Sequence, residues 1–285
     1  DGTIRISGLD ISSEHDKSLS IGDITLTSKA SELPRRLEIE SDIINGDITG
    51  DFRFATLMPT LRDIAMHALP ALSGSPSTAK GRYPADSTGN DFNFDFRLDN
   101  LDGLTEFFNL PVYAIYPIDI DGNIDAATSQ ATLNVDAPYM RQGNKLIEGT
   151  QLTMLIDGTA GVDRAVLNTS FPSKDGMTAV TLAMQAKENV VDTDIKWKID
   201  RQREYSGTVS MSTLLNRYAG ELNTYTDLHQ STMTFNDSVW TIAPALFVTN
   251  AISRINFSVF NVKKKKKNVK VNGTVSHDPD DVVDI

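Results

Sequence analysis

The sequence contains no cysteine, and this absence excludes disulfide bonds, thiol catalysis and cysteine-ligated zinc. Recognisable catalytic signatures are missing as well: there is no G-x-S-x-G elbow, no phosphate-binding loop, no H-E-x-x-H pair and no dinucleotide fingerprint. A carboxylate pair of the glycosidase type stays open, because the chain has 38 acidic residues. We expect a protein without a cofactor that binds ligands and is not an enzyme.

Long apolar runs are also absent. No stretch approaches the ~20 apolar residues that span a bilayer as a helix, and no signal peptide opens the sequence. Both ends alternate like strands, so we expect them to be cuts through a longer β array, with any signal or anchor outside it. The net charge of −11 repels phosphate backbones and anionic lipid surfaces, which argues against a nucleic-acid partner.

Alternation of polar and apolar residues dominates the chain, and a period of two is typical of half-buried strands. We predict a mainly β fold, an elongated antiparallel meander curled into a trough, with a few short helices. We expect residues 1–285 to form one β-rich segment of a longer protein, with a soft boundary at the loop of residues 73–90. The clearest alternating stretches are residues 91–98, 130–135, 151–156 (interrupted by Leu155), 179–186, 194–200 and 268–275.

Turns and helices are marked by short local signals. Glycine beside Asn or Asp predicts turns, since these residues tolerate positive φ. Apolar residues at helical spacing predict three short helices that cover the sheet. The predicted turns are at residues 45–47, 121–123, 157–158 and 272–273, and the predicted helices are at residues 56–69, 104–109 and 213–222.

Two acidic stretches invite a metal interpretation. Residues 119–125 offer oxygen ligands around Gly122, but they lack the spacing and the closing glutamate of an EF-hand loop. Residues 277–281 offer His277 and several carboxylates without a second histidine nearby. We interpret the first as a hairpin with a polar face and the second as a loop leaving a strand, and we assign no metal site.

A run of five lysines begins at Lys263 and ends at Lys267, in an otherwise acidic chain. Such a run usually marks a solvated loop. Its position favours a loop between a strand ending near Val262 and one starting near Val269, and the lysines can extend into those strands, where they discourage edge pairing. Docking to anionic lipid headgroups is the functional alternative.

In the last third, residues 235–244 contain Trp240 and end in an I-x-P sequence. Residues 255–259 and 269–276 follow, and the second of these stretches ends in an N-G-x-V-S pattern. In this order these stretches resemble the TamB family. Residues 46–54 with the helix after them, and residues 100–104 leading to 118–124, are also similar. The lysine run and residues 246–255 depart from the family pattern.

This resemblance implies an AsmA-like protein anchored in the inner membrane, with a periplasmic β-taco trough. It implies roles in phospholipid transport toward the outer membrane and in protein secretion and outer-membrane biogenesis. The implied partners are phospholipid acyl chains, a BamA-like outer-membrane barrel and neighbouring segments of the same full-length chain.

Strands with one apolar face bury it either in a closed core or around a groove. An open groove would leave an apolar strip that a lipid chain can cover. Alternation alone does not separate the two, so a closed core is the alternative for every candidate groove residue. The candidates are Phe92, Phe94, Phe96, Leu98, Leu133, Val135, Leu152, Met154, Ile156, Ile195, Trp197 and Ile199.

Two other functions stay open. An interaction module would offer edge strands to an outer-membrane barrel by β-augmentation, and an unprotected edge with a closed interior would favour it. A carbohydrate-binding or adhesion domain would show exposed aromatic residues in a cleft with two facing carboxylates.

Overall fold

The computed structural model describes residues 1–12, 18–29, 31, 34–53, 55–56, 69–73, 90–174, 176–218, 220–250, 254–264, 267–275 and 283–284. The chain divides into two compact units. Unit 1 comprises residues 1–64, 83–156 and 167–172, and unit 2 comprises residues 65–82, 157–166 and 173–285. The prediction of a mainly β, antiparallel meander with few short helices is confirmed.

Unit 1 is a meander in which each strand mostly pairs with the next along the chain. The pairs β1/β2, β2/β3, β3/β4, β4/β5 and β7/β8 are antiparallel, and β5 pairs with β7 because the short β6 pairs with β8 instead. Its strands are β1 (Gly2–Ser12), β2 (Ser18–Lys29), β3 (Arg36–Ser41), β4 (Ile44–Asp51), β5 (Asp91–Leu98), β6 (Tyr113–Ala114), β7 (Ile118–Asp125), β8 (Gln130–Gln142) and β9 (Lys145–Asp157), and β10 (Val162–Ser173) contributes residues to both units.

Unit 2 contains the longest strand, β13, which is 14 residues long. Its first half pairs with β15 and its second half with β14. The pairs β15/β16 and β14/β17 then lie side by side, and both end on β18. The strands are β11 (Gly176–Lys187), β12 (Val190–Asp200), β13 (Tyr205–Tyr218), β14 (Glu221–Leu228), β15 (Ser231–Phe235), β16 (Ser238–Ile242), β17 (Ala245–Asn250), β18 (Arg254–Lys264), β19 (Lys267–Val275) and β20 (Val283–Asp284).

The helix predictions had mixed outcomes. The helix predicted at 104–109 is confirmed as α1 (Asp102–Phe107), and Pro70–Ser73 forms one 3-10 turn. The helix predicted at 56–69 lies almost entirely outside the described residues. The helix predicted at 213–222 is wrong, because this stretch ends β13, turns at Gly220 with φ +88° and starts β14. Pairing on both sides of β13 outweighed the apolar spacing.

Three of the four predicted turns are wrong. Gly46, Gly122 and Gly273 lie inside β4, β7 and β19. Residues 119–125 therefore lie in one continuous strand, and the predicted hairpin there is also wrong. The turn after Asp157 is confirmed, since its carboxylate accepts the backbone N–H groups of Thr159 at 3.2 Å and Ala160 at 3.1 Å.

The lysine run lies largely in strands. β18 ends at Lys264 and β19 begins at Lys267, and these two residues are paired in register. The expectation that the lysines extend into the flanking strands is therefore confirmed. Residues 246–255, which break the alternation, contain most of β17. Phe247 and Val248 of this strand are in register with both β14 and β18.

Each unit has its own buried cluster. In unit 1 it consists of Leu37, Ile48, Phe52, Phe92, Ile124 and Ala131. In unit 2 it is smaller and consists of Leu228, Ile242 and Ala245. Most other apolar residues that point to the same faces are half-buried. Among the described residues, no helix has both the length and the apolar content to cross a membrane.

Candidate apolar binding face

β5 gives unit 1 a continuous apolar stripe. Its sequence places Phe92, Phe94, Phe96 and Leu98 on one face, because successive side chains of a strand point to opposite sides. Phe92 is 4% exposed and belongs to the buried cluster. The other three are half-buried. The rings of Phe94 and Phe96 are stacked with centroids 6.0 Å apart.

The register of the neighbouring strands extends this stripe across the sheet. Phe94 lies opposite Gly122 of β7, which lies opposite Leu133 of β8. Phe96 lies opposite Ile120, which lies opposite Val135. The structure therefore brings four predicted residues from two separate strands to one face. We call this surface the unit 1 apolar face, formed by Phe94, Phe96, Leu98, Ile120, Leu133 and Val135.

Glycines lie opposite Phe94 and Phe96 and leave space for their rings. A Cβ atom at Gly122 would lie 2.6 Å from Cζ of Phe94 and 2.1 Å from the backbone oxygen of Thr132. A Cβ atom at Gly46 would lie 2.7 Å from Cδ1 of Phe96. Real Cβ atoms do not approach other atoms so closely, so each ring covers a space that only glycine leaves open. Aromatic residues that cover a glycine on a neighbouring strand also fix the register.

One end of the unit 1 apolar face is closed. The ring of Phe52 meets Phe92 edge-on, with centroids 6.2 Å apart. Beside it Asn90, only 1% exposed, accepts the N–H of Arg53 at 2.9 Å and donates to the hydroxyl of Thr56 at 3.0 Å. The backbone oxygen of Asn90 accepts the N–H of Ala126 at 2.9 Å. The polar groups at this end are thus paired, and Phe92 is a core residue, as the closed-core alternative requires.

The three candidates on β9 are Leu152, Met154 and Ile156. All three are half-buried and alternate with exposed residues. Ile156 packs against the buried cluster of unit 1. The predicted alternation of this stretch is therefore confirmed, with Leu155 exposed as its exception.

The remaining candidates lie in unit 2, on β12. Ile195 lies between Leu182 of β11 and Val209 of β13. Trp197 lies opposite Gly207, where a Cβ atom would be 2.1 Å from Cζ2 of the indole. This repeats the aromatic–glycine pairing of unit 1. Ile195, Trp197 and Ile199 are half-buried. Together with Leu182 and Val209 they form the unit 2 apolar face.

Sequence reasoning missed several residues that share these faces. Ile48 lies directly opposite Phe94. Ile39 lies opposite Gly46, which in turn lies opposite Phe96. Their alternation in β3 and β4 is short, and Gly46 beside Asn45 and Asp47 predicts a turn where β4 is continuous. The missed signal is the pairing itself: a glycine inside an alternating stretch, opposite an aromatic residue on another strand. The apolar residues missed are Leu26, Leu37, Ile39, Ile48, Ile120 and Ile124.

The opposite face of unit 1 is acidic. Asp47, Asp95 and Asp121 lie side by side on three adjacent strands. Asn134 on the next strand donates to Asp121 at 2.8 Å. An open depression of about 540 Å³ on this side is lined mainly by polar side chains, among them Arg36 and Glu38. This face is therefore wet, and it does not offer a surface for apolar ligands.

One carboxyl group has a shifted pKa. The Thr128 hydroxyl donates to Asp125 at 2.6 Å and lowers the pKa of this carboxyl. The backbone N–H groups of Thr128 and Ala127 add to the effect, while burial opposes it. The arrangement is a turn that ends β7, and its role is structural.

Among the described residues, no group of three or more His, Cys, Asp or Glu is placed to hold a metal ion. His277 and its neighbours lie outside the described residues.

Comparisons with known proteins give no relatives. No family model, no curated protein and no solved structure matches the chain.

Proposed function

We propose that the apolar faces of this protein carry the acyl chains of phospholipids. The observation that supports this proposal is the half-burial of a multi-strand apolar surface in unit 1, beside a closed end that is fully packed. A sheet that had completed a closed core would bury Phe94, Phe96, Leu133 and Val135 as completely as it buries Phe92.

The mechanism is passive. Acyl chains lie on the apolar face while headgroups stay in water, and burial of each CH₂ contributes ~0.8 kcal/mol. The rings of Phe96, Phe94 and Trp197 occupy the space over Gly46, Gly122 and Gly207 that a Cβ atom would fill, and they add aromatic surface to these faces. No bond is made or broken, so the protein is proposed as a carrier and not as an enzyme.

The resemblance to the TamB family supplies the cellular setting of this proposal. The chain would be a periplasmic segment of an envelope protein anchored in the inner membrane, and it would move phospholipid between the inner and outer membranes. Neighbouring segments of the same protein would continue the apolar surface.

Native mass spectrometry of the purified protein, with lipid extraction of the same sample, tests the proposal. We expect bound phospholipid in the native protein and its loss in Phe94→Asp and Trp197→Asp. Asn93→Asp and Lys196→Asp, adjacent residues on the polar faces, are the matched controls and should keep the lipid. Circular dichroism checks that each variant folds. A folded native protein without lipid would contradict the proposal.

A second candidate function has its own observation. β1 is exposed over almost its whole length, with Ile4 62% exposed, and it pairs with β2 in antiparallel register. Such a strand can accept another strand by β-augmentation, and a BamA-like barrel is the partner that the family resemblance implies. Slower hydrogen exchange of the β1 amides on addition of that barrel would support this function, and unchanged exchange with demonstrated binding would contradict it.

A further inference from the structure

Two turns and a hairpin end meet at one end of unit 2. The turn between β12 and β13 carries Arg201 and Arg203, and the turn between β15 and β16 follows Phe235. Tyr205 pairs with Phe235, and the N–H of Glu204 donates to the Asp237 carboxylate at 2.7 Å, so these two turns are adjacent. The hairpin end is that of β18 and β19, where Lys264 pairs with Lys267. It lies beside β16, because Thr241 of β16 pairs with Lys263 of β18.

This end is basic although the protein is acidic. Arg201, Arg203, Lys263, Lys264 and Lys267 lie there, and the lysines continue through residues 265–266 in the sequence. Glu204 and Asp237 are the carboxylates within the two turns, and both accept hydrogen bonds from neighbouring groups. Within the part of the chain that the structure describes, no salt bridge involves Lys263, Lys264 or Lys267.

Large apolar side chains are exposed at the same end. Phe235 is 59% exposed and Val239 is 61% exposed. The ring of Phe235 contacts Tyr205, with centroids 4.6 Å apart, and the guanidinium of Arg201 lies 3.2 Å from the centroid of Tyr205. Lys264 lies over the Trp240 ring at 5.6 Å. Exposed aromatic residues bordered by cations combine the two features that bind a membrane surface, apolar insertion and attraction to anionic headgroups.

We propose that this basic end, formed by Arg201, Arg203, Phe235, Lys263, Lys264 and Lys267, docks on an anionic phospholipid bilayer. Charge complementarity selects this partner, because the cations of this end attract an anionic surface although the protein as a whole carries a net charge of −11. Docking does not depend on acyl chains lying on the apolar faces, so the docking proposal and the proposed function can be tested independently.

Sedimentation with sucrose-loaded vesicles tests the proposal. The protein should bind vesicles that contain phosphatidylglycerol, bind vesicles of pure phosphatidylcholine weakly, and lose binding as salt rises. Each lysine contributes about fivefold to partition onto such a surface. The triple variant K263Q/K264Q/K267Q should therefore bind on the order of a hundredfold more weakly.

A matched variant controls for overall charge. K145Q/K187Q/K196Q removes the same charge from β9, β11 and β12 and should bind nearly as well as the native protein. Phe235→Ser should weaken binding severalfold at constant charge. Equal loss in both triple variants, or equal binding to both kinds of vesicle, would overturn the proposal. So would failure of the folded native protein to bind either kind. Native mass spectrometry of the triple variant should still find any lipid held on the apolar faces.

Discussion

The two apolar faces are built alike but end differently. In unit 1 the face runs into a closed end, where Phe52 and Asn90 cover Phe92. In unit 2 the corresponding stripe on β12 leads through Ile199 and Tyr205 to Phe235, which is largely exposed. The same alternation thus gives a core residue at one position and an exposed ring at another. What decides between them is whether a neighbouring segment covers the end of the strand.

The largest effect should separate core from open face within β5. Phe92→Ala should reduce the free energy of unfolding by about 3–5 kcal/mol, because it leaves a cavity in the buried cluster. Phe94→Ala, two residues along on the same face, should cost about 1–2 kcal/mol, because Phe94 is only partly buried. Urea denaturation of both variants measures the difference. Equal losses of unfolding free energy in the two variants would show that Phe94 is packed as fully as Phe92, and so that the unit 1 apolar face is closed.

Both units contain aromatic–glycine pairs. Replacing the glycine of a pair by alanine should disrupt its packing and destabilise the protein. Gly122→Ala should cost about 2–4 kcal/mol, because the new Cβ meets the backbone oxygen of Thr132. Gly207→Ala should cost less, because the obstacle is the Trp197 side chain, and the fluorescence of this indole should shift as it is displaced.

Gly2→Ala is the control for these variants, since nothing lies within 4 Å of its added Cβ. Gly122→Ala with native stability would contradict the packing described for β7.

The turn at Asp125 should make unit 1 sensitive to acid. Because its pKa is lowered in the folded state, the charged carboxylate stabilises the fold above the unfolded pKa, and this contribution is lost as the pH falls through the folded pKa. Asp125→Asn should lower the free energy of unfolding by about 1 kcal/mol at pH 7. The difference from the native protein should shrink below about pH 4. A difference that is the same at pH 7 and pH 3 would contradict this origin.

The smallest effect concerns the polar faces, where the two units differ again. In unit 1 Asp95 lies between Asp47 and Asp121, whereas in unit 2 Asp194 accepts a hydrogen bond from Ser210. Asp95→Asn should therefore stabilise the protein by about 0.2–1 kcal/mol, with a smaller gain at high salt. Asp194→Asn should destabilise it by about 0.5–1 kcal/mol. Thermal unfolding at two salt concentrations measures both, and a loss on Asp95→Asn would contradict repulsion along this row.

The strands could be predicted from the sequence because alternation is a local signal. β5 has the predicted bounds, β9 and β12 contain the predicted stretches and extend beyond them, and the apolar sides of all three are the predicted ones. The register between strands could not be predicted, because it is not a local property of the sequence. No local signal shows that Phe94 lies opposite Gly122, or that β5 pairs with β7 and not with β6. For the same reason glycine was mistaken for a turn residue inside β4 and β7, where the neighbouring strand requires it.

The division between core and open face could not be predicted either. Phe92 and Phe94 have the same sequence context, two positions apart in one alternating strand. Their difference depends on Phe52 and Asn90, which reach this end from other parts of the chain. The basic end of unit 2 was visible only as a lysine run, because its arginines and Phe235 join it through strand pairing.

The most direct test of acyl-chain binding is photo-crosslinking at adjacent residues of β8. Leu133 belongs to the unit 1 apolar face and Asn134 to the opposite side. A photoreactive phenylalanine analogue at each position in turn, followed by irradiation of the lipid-loaded protein and mass spectrometry, reports which side contacts the chains. We expect crosslinks to acyl chains from position 133 and almost none from position 134. Equal crosslinking from both positions, or crosslinks from position 134 alone, would contradict the proposed function.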